Sequence, residues 1–446
     1  MKTWNIILKK DTNDDFDIPI LENKITIETW KQGRETILST NIFKLLNDSK
    51  LKPSDNVFDL LHFALGLYTT DQVISRARYG FQGWSRHLKV YAPVNSLDNW
   101  TSVKAEFEKL MSFLSGDKWE FIFRKGESVQ PSQKEIVPSY NSKIEAVALF
   151  SGGMDSLINA IDNLEDKKKI VFVSHYKRGG EGKVQKLLYD KLFEKYGNDS
   201  FEFHRFSVQP QPNQVKTEGV STENTSRARS FLFICLGLVV ANSLGEKTEL
   251  IIPENGLISL NIPLTGTRLS SHSTRTTHPY YLSLLNQIAI KLNIENKIVN
   301  PYQFKTKGEM AVECKNLPFL KEVNSVTISC SHSDNSRWKK GLKSGIQCGY
   351  CVPCIIRQAA ENKGGIKGTE YLTKLLNLKI VPTKKSGSDT RAFELALERM
   401  KGKTEMSLMF NILSSGPLPF EDNDELLKYI DMYKRGIEEV KVFLKK

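Results

Sequence analysis

The sequence predicts an α/β protein organised on a central parallel, doubly wound sheet, and three observations carry that expectation. Between positions 147 and 253 short apolar runs alternate with helical patterns, a glycine-bearing loop joins the first run to the first helix, and no internal repeat interrupts the series. Strands and helices at this spacing demand right-handed crossovers and a sheet covered on both faces.

Taken in order, residues 1–135 read as a small N-terminal α+β domain. Its strands are expected at Trp4 to Leu8, Lys24 to Thr29, Leu88 to Ala92 and Trp119 to Phe123, with helices at Val57 to Arg76 and Val103 to Leu114. The stretch RARYGFQGWSR mixes Arg76, Arg78 and Arg86 with Tyr79, Phe81 and Trp84. It reads as core aromatics with solvated arginines, or as a surface for a partner or nucleic acid. A polar linker, Ser128 to Ser142, leads into the central domain, residues 143–365.

There the pattern predicts a strand at Val147 to Phe150, a helix at Leu157 to Leu164, a strand at Ile170 to His175 and a helix at Gly182 to Tyr196. A strand at Phe201 to Val208, a helix at Ser226 to Leu244 and a strand at Glu249 to Pro253 follow. Ligands of such sheets bind outside the carboxyl ends of the strands. Those ends, Ser151 to Gly153, Ser174 to Lys177 and Glu254 to Gly256, should face one crevice. Residues 366–446 form a helical C-terminal extension, with helices at Leu372 to Leu378, Thr390 to Met400 and Asp424 to Phe443 and KKSGSD as a flexible break.

At 446 residues and 40% hydrophobic, the chain can bury the cores of two or three domains. The formal charge is +12, but the cations are scattered among acids, which suits a solvated surface first and an anionic ligand or acidic partner second. Nucleic acid is permitted and not expected. Met1 to Lys10 is charged and lacks a signal core, and the longest apolar run, Phe231 to Ala241, is too short to span a bilayer. A cytoplasmic protein without membrane contact is expected. Its oligomeric state is open, a homodimer among the options.

The loop in AVALFSGGMDS is suited to phosphate. Gly152 and Gly153 can take left-handed angles and admit phosphate oxygens to the main chain, while the helix N-terminus supplies positive potential. Ser151 and Ser156 add hydroxyl donors. Asp155 fits either a Mg²⁺ between carboxylate and phosphate or a helix cap. An ordinary strand-to-helix turn is the plain alternative. No GxxxxGK[ST] or GxGxxG string occurs, so neither a P-loop nor a dinucleotide fingerprint is present.

Cys330, Cys348, Cys351 and Cys354 make C-x17-C-x2-C-x2-C. Four thiolates complete a tetrahedral, structural Zn²⁺ site. A redox dithiol, an iron–sulfur cluster or free buried cysteines compete with that reading. His332 ranks below Cys330 as a ligand, Cys235 reads as core, and Cys314 has no assigned role. Arg227 and Arg229 fall in the first turn of a predicted helix, as a surface pair or as an anion clamp. Arg275, Thr276, Thr277 and His278 precede an apolar helix at Pro279, as its cap or as ligand-reading groups.

Several of these strings together resemble a known family. SGGMDS, HYKRGG after the second strand, RARSFLF, TKGE at Thr306 to Glu309, and the cysteine cluster followed by Arg357 are similar to the QueC family of 7-cyano-7-deazaguanine synthases, within the PP-loop ATP pyrophosphatases. The similarity spans about Ile144 to Gly365. It implies ATP, Mg²⁺ and Zn²⁺ as cofactors and adenylation of a 7-carboxy-7-deazaguanine, followed by amide and nitrile formation. Asp155, Ser156 and Lys307 would act on the phosphates, His175 and Arg229 would help hold the nucleotide, and Glu254, Asn255, Arg275, Thr276, Thr277 and His278 would read the deazaguanine.

The chain departs from that family by about 140 residues in front and about 80 behind, and by the segment PENGLISLNIPLTGTRLSSHSTRTTHPYYL. The flanked form is similar to the QueC-like component of the bacterial Qat anti-phage system, with type IV CBASS as a relative. This kinship implies that the N-terminal amine of a partner protein replaces ammonia. A PP-loop tRNA-modifying enzyme is the alternative, and a non-catalytic scaffold the third reading.

Overall fold

The computed structural model describes residues 2–445 except 12, 21, 31–35, 127–143, 178–179, 215–218, 224, 265–274, 333–345, 374–386 and 421. Among these residues the strands are β1 (Thr3–Lys9), β2 (Lys24–Glu28), β3 (Leu38–Thr40), β4 (His87–Val94), β5 (Lys118–Lys125), β6 (Ala146–Leu149), β7 (Ile170–Tyr176), β8 (Phe201–Pro210), β9 (Glu249–Ile251) and β10 (Ile298–Val299). They form a six-stranded sheet in the order β10-β9-β6-β7-β8-β3 and a four-stranded sheet in the order β2-β1-β4-β5.

The expected parallel sheet is present. β10, β9, β6, β7 and β8 are parallel, and every residue of β6 is buried, as a central strand with helices on both faces requires. The chain runs outward through β7 and β8 and returns to β9 on the other side of β6. That reversal is a topological switch point, and the crevice it opens lies at the carboxyl ends of β6 and β9. β9 stops at Ile251, two residues short of the predicted strand.

Two expectations about the N-terminal region are corrected. The four strands of its own sheet are all parallel, so the region is α/β and not α+β. β3 pairs antiparallel with β8 and extends the central sheet, so the region is joined to residues 143–365 by main-chain hydrogen bonds. Helix Asp55–Val73 explains the union. It is buried all round, touching β1, β2 and β4 on one side and helix Arg229–Leu244 and β8 on the other. One continuous apolar cluster contains Trp4, Phe63 and Trp100 together with Leu149, Phe231 and Leu250.

Arg76 and Arg86 are not solvated. They are 3% and 0% exposed and share Asp71 and Asp117, both fully buried, at 2.6–2.8 Å. Phe81, by contrast, is exposed.

The C-terminal region is helical as expected, with Ser388–Met400, an unforeseen Glu405–Leu413, and Asn423–Leu444 around an apolar cluster that they share with helices Gly256–Leu260 and Val352–Gly364 of the central region. Leu372 does not start a helix: its N–H donates to Gln347 O beside a bridge between Gln347 and Tyr371. The remainder of that predicted helix, the linker Ser128–Ser142 and Lys384–Ser386 lie outside the described residues. No helix among the described residues is long and apolar enough to cross a membrane.

Candidate functional site

A cavity of about 410 Å³ opens at the switch point. Its floor is the loop between β6 and helix Met154–Glu165. Gly152 has φ +86°, where a side chain is strained, and a Cβ there would press on Gln185. Gly153 has φ −86° and serves as the helix N-cap, so only Gly152 uses the left-handed freedom expected of both. Ser151 Oγ accepts from Gly153 N and lies 3.2 Å from Ser156 Oγ, which donates to Gly153 O. Gln185 donates to Ser151 O and His175 O, bracing the loop against β7. With helix-terminal N–H groups and two hydroxyls on one side, the loop can take an anion.

Asp155 does not cap its helix. Its carboxylate meets Lys307 Nζ at 2.5 Å, Asn255 Nδ2 at 2.8 Å and Asn255 N at 3.2 Å. Burial pushes this carboxyl up, but Lys307, Glu254 and Asn255 outweigh it and hold it below the ordinary carboxylate range. Glu254 sits beside it with the opposite outcome. Desolvation and then the Asp155 charge push Glu254 well above its usual value, so the pair carries about one negative charge against Lys307.

Lys307 reaches this point because TKGE is a true capping box. Thr306 Oγ1 accepts from Glu309 N, and Glu309 accepts from Thr306 N, which starts the helix Lys307–Val312 with the lysine at its first position. The C-terminal helix grips the same turn. Glu439 accepts from Thr306 Oγ1, from Gly308 N at 3.2 Å and from Lys363 at 2.7 Å, and a Cβ on Gly308 would strike that carboxylate at 2.7 Å.

Ser151, Gly152, Gly153, Asp155, Ser156, Arg229, Glu254, Thr276, Thr277 and Lys307 all line the cavity. Arg229 arrives already paired, bidentate to Glu181 at 2.9 and 2.7 Å. Four predicted residues do not line it. Asn255 is fully buried behind the wall, caps helix Gly256–Leu260 and holds Asp155, so it positions another side chain. His175 is buried under Arg229 and Tyr68, and desolvation, then Arg229, hold it neutral. Arg275 turns away, over the Phe113 ring and onto Phe113 O. His278 caps helix Pro279–Lys291 and meets Ser415 Oγ at 3.1 Å, so the capping role is the one it fills.

Arg227 is neither clamp nor surface pair. It lies 3.6 Å over the Trp84 ring and donates to Ser115 O. Glu181, Ser226, Ser230, Ser329 and Ser331 line the cavity unforeseen; Ser230 lies within RARSFLF, and Ser329 and Ser331 flank Cys330, so those motifs were the signal that could have found them.

The four cysteines converge. The Sγ atoms of Cys330, Cys348, Cys351 and Cys354 lie within 4.8 Å of one another, with Cys330–Cys351 at 3.9 Å and Cys348–Cys354 at 3.8 Å. A tetrahedron with metal–sulfur bonds of about 2.3 Å has edges of about 3.8 Å, so the set fits a metal such as zinc. Main-chain N–H groups of His332, Cys348 and Cys351 donate to the sulfurs, as outer partners of thiolate ligands do. Four thiolates already complete such a site, and His332 is not needed. Arg357, fully buried, ties the cluster's helix to Asn324 O and Thr327 O. From there Ile328 N donates to Gly152 O at 3.0 Å, so the cysteine knuckle ends one wall of the cavity. Cys314 is buried beside Asp162 and away from the cluster, its thiol pushed up to about 12, chiefly by burial.

No protein-family model matches the chain, and no curated protein matches it.

Proposed function

We propose that this protein is an ATP-dependent, carbon–nitrogen bond-forming ligase of the QueC-like PP-loop type, acting on the carboxylate of a 7-deazaguanine. One observation carries the reading. At the switch point of a parallel sheet, a left-handed glycine loop, a helix N-terminus and a buried lysine converge on one cavity large enough for a nucleotide and a small base.

The chemistry follows from charge. A carboxylate oxygen attacks the α-phosphorus of ATP and pyrophosphate leaves, giving an acyl adenylate; an amine then attacks the acyl carbon, AMP leaves, and the amine gives up a proton. Negative charge grows on the departing pyrophosphate, where Ser151, Ser156, the N–H groups of the loop and Lys307 stabilise it. Asp155 would hold the Mg²⁺, which screens the phosphates when bound. Thr276, Thr277 and Glu254 supply hydrogen-bonding groups for the base. With ammonia as amine, the amide goes on to a nitrile with a second ATP. With a partner protein's N-terminus, the product is a conjugate, the outcome that kinship with anti-phage systems favours.

The thiolating branch of the tRNA-modifying reading needs a reactive cysteine or a cluster with an open position. A closed set of four mutually close thiolates, with Cys235 in the core, does not favour it.

The test is pyrophosphate release from Mg-ATP with 7-carboxy-7-deazaguanine, adding ammonia or candidate partner proteins in turn and weighing the products. Asp155→Asn keeps the shape and the Asn255 contact while removing the charge, and should lower turnover at least about 100-fold. Turnover within threefold of wild type would remove Asp155 from the mechanism.

A further inference from the structure

A second concavity lies on the other side of the helix that walls the nucleotide cavity. It is lined by Tyr176, Lys177, Lys183, Lys186, Leu187 and Arg205, together with Gly182. The first turns of helix Gly180–Tyr196 divide the two spaces: Glu181 and Val184 face the cavity, while Gly182, Lys183, Lys186 and Leu187 face the concavity. Four cations line it. Lys183 has no partner among the described residues, Lys186 meets Asp190, and Lys177 meets Gln72 Oε1 at 2.7 Å and the Tyr68 ring. Arg205 donates to Gly182 O and leaves its buried Nε without a partner.

The geometry points to this concavity as the docking site for an acidic segment of the amine-bearing acceptor protein. The inference rests on the ligase reading above. Charge complementarity selects carboxylates: Lys183, Lys186 and Arg205 against Asp190 retain a net charge of about two, which two acidic side chains match. Single-stranded nucleic acid would need a free aromatic face on which to stack a base. The one aromatic ring here, Tyr176, already carries the Arg205 guanidinium 5.1 Å from its centroid.

Distance adds a second constraint. The spaces are separated by one helix, about 10–12 Å across, which an extended chain crosses in about three or four residues. An acceptor whose terminal amine lies at the nucleotide cavity would therefore place its acidic residues from about the fourth position onward.

The probe is a fluorescent peptide, Gly-Gly-Ser-Asp-Glu-Asp-Glu, labelled at its C-terminus, titrated into the full chain by anisotropy at low and moderate salt. A lysine-bearing control and an RNA hexamer are titrated alongside. The acidic peptide should bind, weaken with salt, and lose at least tenfold in affinity in the exposed double variant Lys183→Glu/Lys186→Glu, whose pyrophosphate release with ammonia should stay at the wild-type rate. No peptide binding, equal binding by the variant, or tighter binding of the RNA would overturn the inference. Loss of binding in the variant from a protein whose wild type releases no pyrophosphate would keep the acidic ligand and remove its role as an acceptor, striking the ligase reading instead.

Discussion

The two flanks grip the same cavity by different means. The N-terminal flank holds the Arg229 side, where Asp71 accepts from Ala228 N at 2.9 Å, ahead of the helix that Arg229 begins. Its anchor is the Asp71–Arg76–Arg86–Asp117 quartet, sealed in a core shared with the central sheet. The C-terminal flank holds the Lys307 side through Glu439 and Arg435, in ion pairs whose cations remain in reach of water: Arg435 is 37% exposed and Lys363 40%. A sealed ion network tolerates no missing member, because the remaining charge has no solvent to turn to, whereas a half-exposed pair is screened and replaced by water. Length of attachment is not what separates the flanks. Access to water is.

The sharpest test of that contrast is Asp117→Ala. It leaves two buried guanidinium groups with one carboxylate and should lower stability by about 3–5 kcal/mol, read from the urea midpoint. A loss below about 1 kcal/mol would erase the distinction between the flanks. Next in size is Cys351→Ser, which should lower bound zinc and melting temperature together; full zinc in a stable variant would remove Cys351 from the ligand set.

His278 stands where the flanks meet, its ring against Phe113 and its Nε2 on Ser415. Burial, then Arg275, pushes it down to about 3, against 6.5 when unfolded. Between those values the unfolded chain takes up a proton that the folded chain refuses, so stability is full above about pH 6.5 and falls as pH drops toward 3. His278→Asn keeps a capping side chain and should flatten part of that acid branch. An unchanged pH dependence would show that other buried histidines, such as His204, pushed down to about 4 by burial, govern it. The smallest expected effect on stability is Glu439→Gln, below about 1 kcal/mol. Its signature should be a lower turnover through Lys307, and a stability loss as large as that of Asp117→Ala would place the C-terminal flank in the same class as the N-terminal one.

The features legible in the sequence share one property: their partners are close along the chain. The glycine loop, the capping box at Thr306 to Glu309, and three of the four cysteines each fall within a few residues, so spacing alone predicts their geometry. β6 and β7 were legible because their apolar runs are uninterrupted, and β8 because its apolar residues alternate. β3 and β10, at three and two residues, carry no such pattern and exist because longer strands offer them an edge. Arg78 is exposed as expected, but Arg76 and Arg86 of RARYGFQGWSR were misread for a related reason. Composition predicts that arginine is exposed unless paired, and its partners here, Asp71 and Asp117, are invisible until the fold brings them together.

The substrate candidates divide on the same line. Thr276 and Thr277 reach the cavity while the adjacent Arg275 and His278 do not, because a turn points neighbouring side chains in different directions and only packing against Phe113 and Ser415 chooses between them. By itself the sequence determined the parallel α/β core, the glycine loop at the switch point and the clustering of the four cysteines, since these depend on local periodicity and spacing. Tertiary structure alone decided that Asp155 faces Lys307, that Asn255 positions it, and that both flanks close on one cavity, since those contacts join residues a hundred or more positions apart whose burial sets their charge.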